Sequence, residues 1–396
     1  MIITILGTSG AGFNHKDCTP RKDEEGNILF HDAEYNSDIF NIERKRYKNS
    51  THFLLENFDD EFVFIGTVCA ISFQKTILAE SLKGKNVQFR TIGDNSLDDI
   101  FETILELIQH NDNIVLDITH GFRHQPIMAI FASTLSQFLE RRDLKIIFAK
   151  EVESHEKYEY IYLNSYIEIT QISLLLTGFI RTLNFIPVKN MKLLNNKVFE
   201  DFSKSLLSND LKGVERNYGL LKEELVKLKS NEDLKHISNL IDKVKNELIP
   251  LERLSVFEPY QKYIELSKVT VEKNYLIISL AYIFESLREY CSYRFKDICA
   301  TFEFENDYVK NDNVMKTIGN FRKDNLILNR YRGLYHANKE EFKKVNKLYN
   351  KLRKRRNALA HINTTSNFED IKQDLSRIII QVETLYGDKV LENIRR

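Results

Sequence analysis

A basic segment near the carboxyl end of the chain carries side chains that could do chemistry. It runs over residues 351–361 and contains Arg356, Asn357 and His361. Its Lys, Arg, Leu and Ala residues favour a helix, and no Gly or Pro interrupts it before the polar residues 363–366. At about 100° per residue, Asn357 and His361 share one face of that helix, and Arg356 lies on its flank, roughly 140° from His361. We therefore expect three polar groups to meet at one helix end.

These groups suit the cleavage of RNA. A histidine with an ordinary pKa near ~6.5 can move a proton at neutral pH, and a guanidinium can hold a phosphate through its planar fork. The 2′-hydroxyl of RNA can attack the adjacent phosphate, so neither a metal nor a protein nucleophile is required. The alternative interpretation is a solvated basic helix that ends in a capping histidine.

The spacing of these residues resembles a family signature. Arg356 is followed by an asparagine and, after three more residues, by His361. This fits the Arg-(4 to 6 residues)-His signature, with a polar residue after the Arg, of the HEPN ribonucleases, which are helical domains that cleave RNA as dimers. Arg330 with His336, and Arg355 with His361, also satisfy the loose spacing. We prefer Arg356 because a polar residue follows it, as the family expects.

The composition balances 57 Lys and Arg against 57 Asp and Glu. No overall positive field therefore indicates a nucleic-acid partner, and any basic patch must be local. The 396 residues can bury a large core and predict two or three domains.

Cysteine usage and hydropathy indicate the compartment. The four cysteines are scattered without a Cys-x-x-Cys pair, which disfavours both a disulfide scaffold and a zinc site. Residues 1–6 lack a basic leader and a cleavage site, and the apolar stretch 172–180 is too short to span a bilayer. We therefore expect a cytoplasmic protein without a membrane anchor.

Buried strands run into small-residue loops in the first half of the chain. Residues 2–7 form a continuous apolar run typical of a strand buried on both faces, and residues 61–67 form a second. The first run leads into Thr8, Ser9 and Gly10, whose amides and hydroxyls could surround a phosphate, with an ordinary tight turn as the alternative. The loop lacks both Gly-x-Gly-x-x-Gly and the Walker lysine, so it is not a standard dinucleotide or NTP loop.

The following segments complete an α/β pattern. We predict helices over 74–82, 96–109 and 127–140, the second with Ser96 as its N-cap, and strands over 87–91, 114–119, 145–152 and 158–164. The short gap before the last strand favours an antiparallel hairpin at the sheet edge. The polar segment 18–50 is predicted to be an insertion outside the core. The alternation of strand and helix is the signature of a Rossmann-like parallel sheet.

A segment rich in hydrogen-bond donors follows the predicted strand at 114–119. Asp117 lies near the strand end, the chain turns at Gly121, and Pro126 suits the first turn of the next helix. The donor side chains there are Thr119, His120, Arg123 and His124. Because they follow a strand and precede a helix, they lie where open parallel sheets bind anionic ligands. Turn capping and backbone hydrogen bonds are the structural alternative.

The ten residues 117–126, Asp-Ile-Thr-His-Gly-Phe-Arg-His-Gln-Pro, closely resemble the Asp-x-Thr-His-Gly motif of CRISPR-associated CARF domains. The resemblance covers the chain from residue 1 to about residue 166. It implies a Rossmann-like domain that binds cyclic oligoadenylate at a dimer interface.

Helices replace strands from residue 168 onward. Apolar residues near helical spacing predict helices over 169–183, 199–207, 211–229, 233–248, 271–295, 342–361 and 368–386. A long helix followed, after a variable segment, by the helix with Arg356 looks like the HEPN arrangement. We therefore predict an α/β Rossmann-like CARF domain over 1–167, a helical linker region over 168–250 and an all-α HEPN domain over 251–396.

With a CARF-like domain followed by a HEPN-like domain, the chain resembles the accessory ribonucleases of type III CRISPR antiviral systems. That family implies a homodimer in which cyclic oligoadenylate switches on the cleavage of single-stranded RNA. It implies that Arg356 and Asn357 act at the scissile phosphate, that His361 transfers protons, and that the product ends in a 2′,3′-cyclic phosphate. It implies no metal.

The resemblance also implies which residues contact the cyclic oligoadenylate ring. They are Thr8, Ser9, Gly10, Thr67, Thr119, His120, Gly121, Arg123, His124 and Gln125. Cyclic tetra-adenylate is the commoner partner of the family and hexa-adenylate the alternative, and no residue decides between them.

Two other functions stay open. The chain could be a cyclic nucleotide sensor whose helical half is a non-catalytic regulatory module. Alternatively, the sheet domain could itself cleave the ring activator, with Thr8, Ser9, His120 and His124 assisting the ligand's own 2′-hydroxyl.

Overall fold

The computed structural model describes residues 1–139, 143–188, 191–360 and 367–395. The chain divides into two units, one formed by Met1–Gln171 with Val188–Met191 and the other by Ile172–Pro187 with Lys192–Arg396. Within the described ranges, no helix combines the length and the apolar composition needed to cross a membrane.

The first unit is an α/β domain. Its strands and helices are, in chain order, β1 (Ile2–Ile5), β2 (Phe13–Asn14), β3 (Thr19–Pro20), β4 (Ala33–Ser37), β5 (Ile42–Tyr47), α1 (Ser50–Asn57), β6 (Phe62–Gly66), α2 (Val68–Ile77), β7 (Val87–Thr91), α3 (Leu97–His110), β8 (Ile114–Asp117), α4 (His124–Leu139), β9 (Leu144–Glu153) and β10 (Lys157–Tyr162). The helix α5 (Asn164–Thr182) begins in this unit and ends in the second.

Eight strands form one sheet in the order β5-β4-β10-β9-β8-β1-β6-β7. The five strands from β9 to β7 are parallel, and their carboxyl ends therefore meet at one edge. Alternate residues of β1 and β6 enter two cores: Ile2 and Phe62 face the core with α1 and α2, whereas Ile3 and Val63 face the core with α3. The predicted Rossmann-like sheet is confirmed.

The prediction that residues 18–50 are an insertion outside the core is wrong. This segment contains β4 and β5, and β4 pairs with β10. Tyr35 and Tyr47 are 2% and 3% exposed, and they pack with Phe53 and Tyr160 in the core. The β9–β10 hairpin is antiparallel, as predicted, but it is not at the sheet edge because β4 and β5 extend the sheet beyond it.

Helix boundaries in this unit depend on caps and turns. The side chain of Ser96 accepts a hydrogen bond from Asp99 N, which confirms the predicted N-cap of α3. Thr67 caps α2 by accepting from Ala70 N, so α2 begins at Val68 rather than at residue 74. α4 begins at His124, three residues before the predicted start.

The second unit is helical throughout its described elements. These are α6 (Asn196–Leu207), α7 (Leu211–Ser230), α8 (Ser238–Glu247), α9 (Pro259–Glu272), α10 (Leu276–Arg294), α11 (Lys296–Cys299), α12 (Asp307–Ile318), α13 (Leu326–Arg330), α14 (Leu334–Ala337), α15 (Lys339–Ala360) and α16 (Phe368–Gly387). Helices α9, α10, α12, α15 and α16 enclose a core around Leu287, Tyr290 and Leu352. The predicted helix 271–295 is two helices, because the chain breaks at Asn274, where φ is +68°.

The expectation that the cysteines form no disulfide is wrong for one pair. Cys18 and Cys69 are joined, which ties the β2–β3 hairpin to the start of α2. Their separation of 51 residues gives no short spacing that sequence reasoning could use. Cys291 and Cys299 are free and buried.

Reduction of this disulfide will destabilise the first unit. Closing a loop of 51 residues removes chain entropy from the unfolded state, a contribution of about 4 kcal/mol. We expect dithiothreitol to lower the thermal midpoint of this unit by about 10 °C, measured by circular dichroism. The double variant with Cys18→Ser and Cys69→Ser should start at the lower midpoint and not respond to the reductant, whereas an unchanged midpoint in the native chain would contradict the prediction.

Candidate functional site

Three loops meet at the carboxyl edge of the parallel strands. They follow β1, β6 and β8, which are neighbours in the sheet. The loop after β1 touches the loop after β8: Ser9 Oγ lies 3.1 Å from His120 Nε2, and a Cβ at Gly7 would lie 3.1 Å from Gly121 N. The structure thus brings the predicted ligand residues of the loop after β1, Thr8–Gly10, next to those of the loop after β8, Thr119–Gln125. It places Thr67 directly after β6, the neighbour of β1 on the other side.

Asp117 is fully buried and organises the edge. Its Oδ2 accepts from the hydroxyls of Thr4 at 2.8 Å and Ser50 at 3.2 Å. Its Oδ1 accepts from the backbone N–H of Thr119 at 3.0 Å and from the Thr119 hydroxyl. Four donors thereby offset the cost of burying this carboxylate. Asp117 therefore holds β1, α1 and the Thr119 turn together.

Several predicted ligand residues also stabilise the loops in which they lie. Thr119 Oγ1 accepts from Ala149 N at 2.9 Å, and Gln125 Oε1 accepts from Phe122 N at 3.0 Å. Gly121 has φ +106°, and a Cβ there would lie 2.6 Å from Ile5 Cγ2, so no side chain fits. Gly10 has φ +100° and a similarly crowded position. These residues shape the loops whether or not they touch a ligand.

His120 connects two segments. Its Nε2 accepts a hydrogen bond from Ser50 N at 3.4 Å and lies within reach of the Ser9 hydroxyl. Burial lowers the pKa of His120, and the attraction of Asp117 opposes that effect. The imidazole is therefore neutral near pH 7.

The stability of the chain should depend on pH through His120. Because the folded pKa lies below about 6.5, the unfolded state binds more protons once the pH falls below that value, and the free energy of unfolding decreases. We expect His120→Gln to flatten the decrease between pH 7 and pH 5 in urea titrations. His52, whose pKa is also lowered by burial, still contributes to the pH dependence of the free energy of unfolding in this variant. The exposed His31 provides the control, His31→Gln, and equal slopes for both variants would contradict the assignment.

Two buried residues that the sequence analysis missed hold the loop after β1. Gln74 Nε2 donates to Gly7 O at 2.6 Å and to Ser9 O at 3.1 Å. Asn49 Nδ2 donates to Ser9 O at 2.9 Å and to Gln74 Oε1 at 3.0 Å. The only available signal was the run Asn49-Ser50-Thr51, which suits a helix start, and Asn49 does cap α1.

Donor groups remain available at this edge. Arg123 is exposed. His124 is the first residue of α4, and among the described residues nothing pairs with its buried Nε2 or with the buried Nε2 of Gln125. Thr8 is half-buried beside Ser9. These groups could donate to phosphates or base edges.

The second candidate site is the end of α15. This helix carries nine Lys and Arg residues against two Glu. Arg356 and Asn357 are exposed, and the Arg356 guanidinium lies over the Phe284 ring, with Cζ 4.9 Å from the ring centroid. The predicted catalytic His361 lies outside the described residues, so the structure does not test the predicted trio.

The structure separates Arg356 from the alternative arginines. Arg355 is half-buried and binds Asp374, with Nη2 2.7 Å and Nε 2.9 Å from Oδ2. Arg330 donates to Thr301 O at 2.8 Å. Arg355 and Arg330 thus have structural partners, whereas Arg356, the third candidate arginine, is exposed and lies over Phe284.

Metal-binding side chains do not gather in the described ranges. No group of three or more His, Cys, Asp or Glu residues there could hold a metal ion.

Comparison with known proteins identifies the first unit. Residues 34–166 match the family model of the CARF domain of the CRISPR system endoribonuclease Csx1. The first unit contains a CARF domain. The family suspected from residues 117–126 is thus confirmed for the first unit, and the predicted order of an α/β CARF domain followed by a helical region is confirmed.

Other comparisons add little. The structure of Enterococcus italicus Csm6 bound to cyclic hexa-2′-fluoro-hexa-dAMP aligns over 99% of this chain and 94% of that chain, with 13% sequence identity and a TM-score of 0.41. A similarity this low supports no argument about function. No curated protein matches the chain.

Proposed function

We propose that this CARF protein is a cyclic oligoadenylate-activated, metal-independent endoribonuclease that cuts single-stranded RNA in type III CRISPR antiviral defence. The observation that carries the proposal is the presence, on one chain, of a CARF domain and a helical unit whose basic helix α15 exposes Arg356 and Asn357. The active form is a cytoplasmic homodimer.

The CARF domain supplies the sensor. The ring's phosphates lie against the loop Thr8–Gly10 and the exposed Arg123, and His124 and Gln125 donate from the start of α4. A carboxyl edge of parallel strands beside a helix amino terminus favours anions. Cyclic oligoadenylate has repeated identical units, so it fits a pocket formed twice around a two-fold axis.

The helical domain supplies the chemistry. The 2′-oxygen of the substrate attacks the adjacent phosphorus, the bond to the 5′-oxygen breaks, and a 2′,3′-cyclic phosphate forms. His361 transfers a proton in this step, and Arg356 neutralises the charge that develops on the phosphate. Asn357 donates to the same phosphate. Since the nucleophile belongs to the RNA, no metal is needed to generate one.

Ring binding favours the arrangement of the dimer in which the two catalytic helices face each other. The ligand can shift this equilibrium only by the difference between its affinities for the two arrangements.

The direct test is RNA cleavage by the purified protein with and without cyclic tetra-adenylate or hexa-adenylate, in EDTA. We expect ring-dependent cleavage with 2′,3′-cyclic phosphate ends. Equal activity with and without either ring would refute the sensor function. Tight ring binding without any RNA cleavage would indicate instead that the helical unit is a regulatory module.

A second activity, cleavage of the ring by the CARF domain, has one specific observation in its favour. His120 Nε2 lies 3.1 Å from Ser9 Oγ, and burial lowers the pKa of His120, so a neutral imidazole lies beside the proposed ring site. We expect slow conversion of the cyclic oligoadenylate to linear oligoadenylate, measured by chromatography. The His120→Gln variant should lack this conversion. An intact ring after prolonged incubation with excess protein would exclude this activity.

A further inference from the structure

Cationic and aromatic side chains alternate in a row that leads away from Arg356. The Arg356 guanidinium covers Phe284 of α10, with Cζ 4.9 Å from the ring centroid. The Arg288 guanidinium lies next, with Cζ 5.9 Å from Phe284 and 5.0 Å from Tyr308 of α12. All these distances lie within cation–π range. We call Tyr308, Arg288, Phe284 and Arg356 the cation–aromatic ladder.

The two ends of the ladder are open to solvent, whereas its middle is fixed. Phe284 is 6% exposed and Arg288 8% exposed. Glu285 holds Arg288 Nη1, with its two carboxylate oxygens at 3.0 and 3.3 Å. Tyr308 is 69% exposed, although Arg288 lies over its ring. An exposed ring contributes little to the core, so its packing does not explain its position.

The ladder lies in a cationic environment. Tyr349 contacts Phe284 with ring centroids 5.1 Å apart. Burial raises the pKa of Tyr349, and the positive charges of Arg288, Arg353 and Arg356 oppose that rise. The nearby carboxylates are already paired, Glu285 with Arg288 and Asp312 with Lys316 at 2.8 Å.

Arg353 and Arg356 also share a face of α15 with Tyr349, because they follow it by four and seven residues. This face continues toward Asn357 at the helix end. The cation–aromatic ladder thus ends on the helix that carries the proposed catalytic residues Arg356 and Asn357.

We infer that the cation–aromatic ladder binds the single-stranded RNA that flanks the scissile phosphate, with a base stacked on Tyr308 and phosphates held by Arg353 and Arg356. Exposed aromatic rings next to guanidinium groups are the usual means of holding unpaired bases and their backbone. Arg288 orients the Tyr308 ring from below. The inference rests on the proposed function, since it adds the substrate path to that site.

The test separates RNA binding from cleavage. Full-length His361→Ala protein would be titrated into fluorescein-labelled single-stranded RNA, with and without the ring activator, and the dissociation constant read from anisotropy. Adding Tyr308→Ala should raise the dissociation constant about tenfold, equivalent to about 1.4 kcal/mol. Adding Tyr308→Phe, which keeps the ring, should leave it within about twofold.

Phe321→Ala is the matched control. Phe321 is 61% exposed and lies three residues beyond the far end of α12, and that end is roughly 15 Å along the helix from Tyr308. Its removal should not change RNA affinity.

Each outcome decides something. Equal affinities for the Tyr308→Ala, Phe321→Ala and parent proteins would overturn the inference, as would absence of RNA binding. Dissociation of the dimer by Tyr308→Ala, measured by sedimentation, would assign the Tyr308 side chain to a subunit contact and would also overturn the inference. If RNA affinity depends on the Tyr308 aromatic ring but the native protein cleaves no RNA, the binding site is kept and the nuclease function is refuted.

Discussion

Arg356→Ala will reduce RNA cleavage about 10²–10³-fold, whereas Arg355→Ala will leave it nearly unchanged. The two arginines are adjacent on α15, yet Arg355 is held by Asp374 at 2.7 Å and Arg356 is exposed. In the proposed mechanism, removing Arg356 takes away the charge that stabilises the phosphate in the transition state. Single-turnover cleavage at saturating RNA and activator measures the effect.

The control has its own expected result. Arg355→Ala breaks a half-buried ion pair, so we expect it to lower the free energy of unfolding by about 1 kcal/mol without changing the cleavage rate. His361→Ala should reduce cleavage about 10²–10⁴-fold. If Arg355→Ala lost cleavage and Arg356→Ala kept it, the catalytic assignment would move by one residue. Full activity of His361→Ala would remove the HEPN mechanism.

Arg123→Ala will raise the ring concentration needed for half-maximal activation by at least tenfold. Arg123 is exposed in the loop between β8 and α4, and a charge-assisted hydrogen bond to a phosphate contributes about 1.5–3 kcal/mol. At saturating ring, the cleavage rate should equal that of the native chain, because the helical unit is unchanged. Cleavage rates over a range of ring concentrations give both quantities.

Arg44→Ala is the control for the sensor. Arg44 is also an exposed arginine of the first unit, but it belongs to β5 at the far edge of the sheet, four strands from β8 or about 19 Å. Its loss breaks a surface ion pair with Glu34, so the activation curve should not move. Parallel shifts in the two variants would point to a general loss of charge attraction and not to a ring contact.

The strand–helix alternation and the turn at residues 117–126 were readable because their signals are local. A buried apolar run, a positive-φ glycine and a proline in the first helical turn each depend on neighbours in sequence. The same holds for the Ser96 cap of α3, which the structure confirms. The order of an α/β domain before a helical region follows directly from these patterns.

The loop after β1 shows where local reasoning stops. Its supports, Asn49 and Gln74, come from α1 and α2, which are 40 and 65 residues away from Ser9 in the chain. Their amides have no special pattern in sequence, and they become site residues only because the parallel sheet places both helices behind the loop. The preference of Arg355 for Asp374 likewise requires α16 to lie against α15.

By itself, the sequence determined the local structure: the parallel strands β1, β6 and β8, the tight turn at Gly121 and the basic character of α15. Only the tertiary structure decided which distant groups meet. It put residues 33–47 into the sheet, joined Cys18 to Cys69, and gave Arg355 a partner while leaving Arg356 exposed. The physical reason is that backbone propensity and hydrophobic period act over a few residues, whereas strand pairing, disulfides and buried hydrogen bonds are selected by packing between segments far apart in sequence.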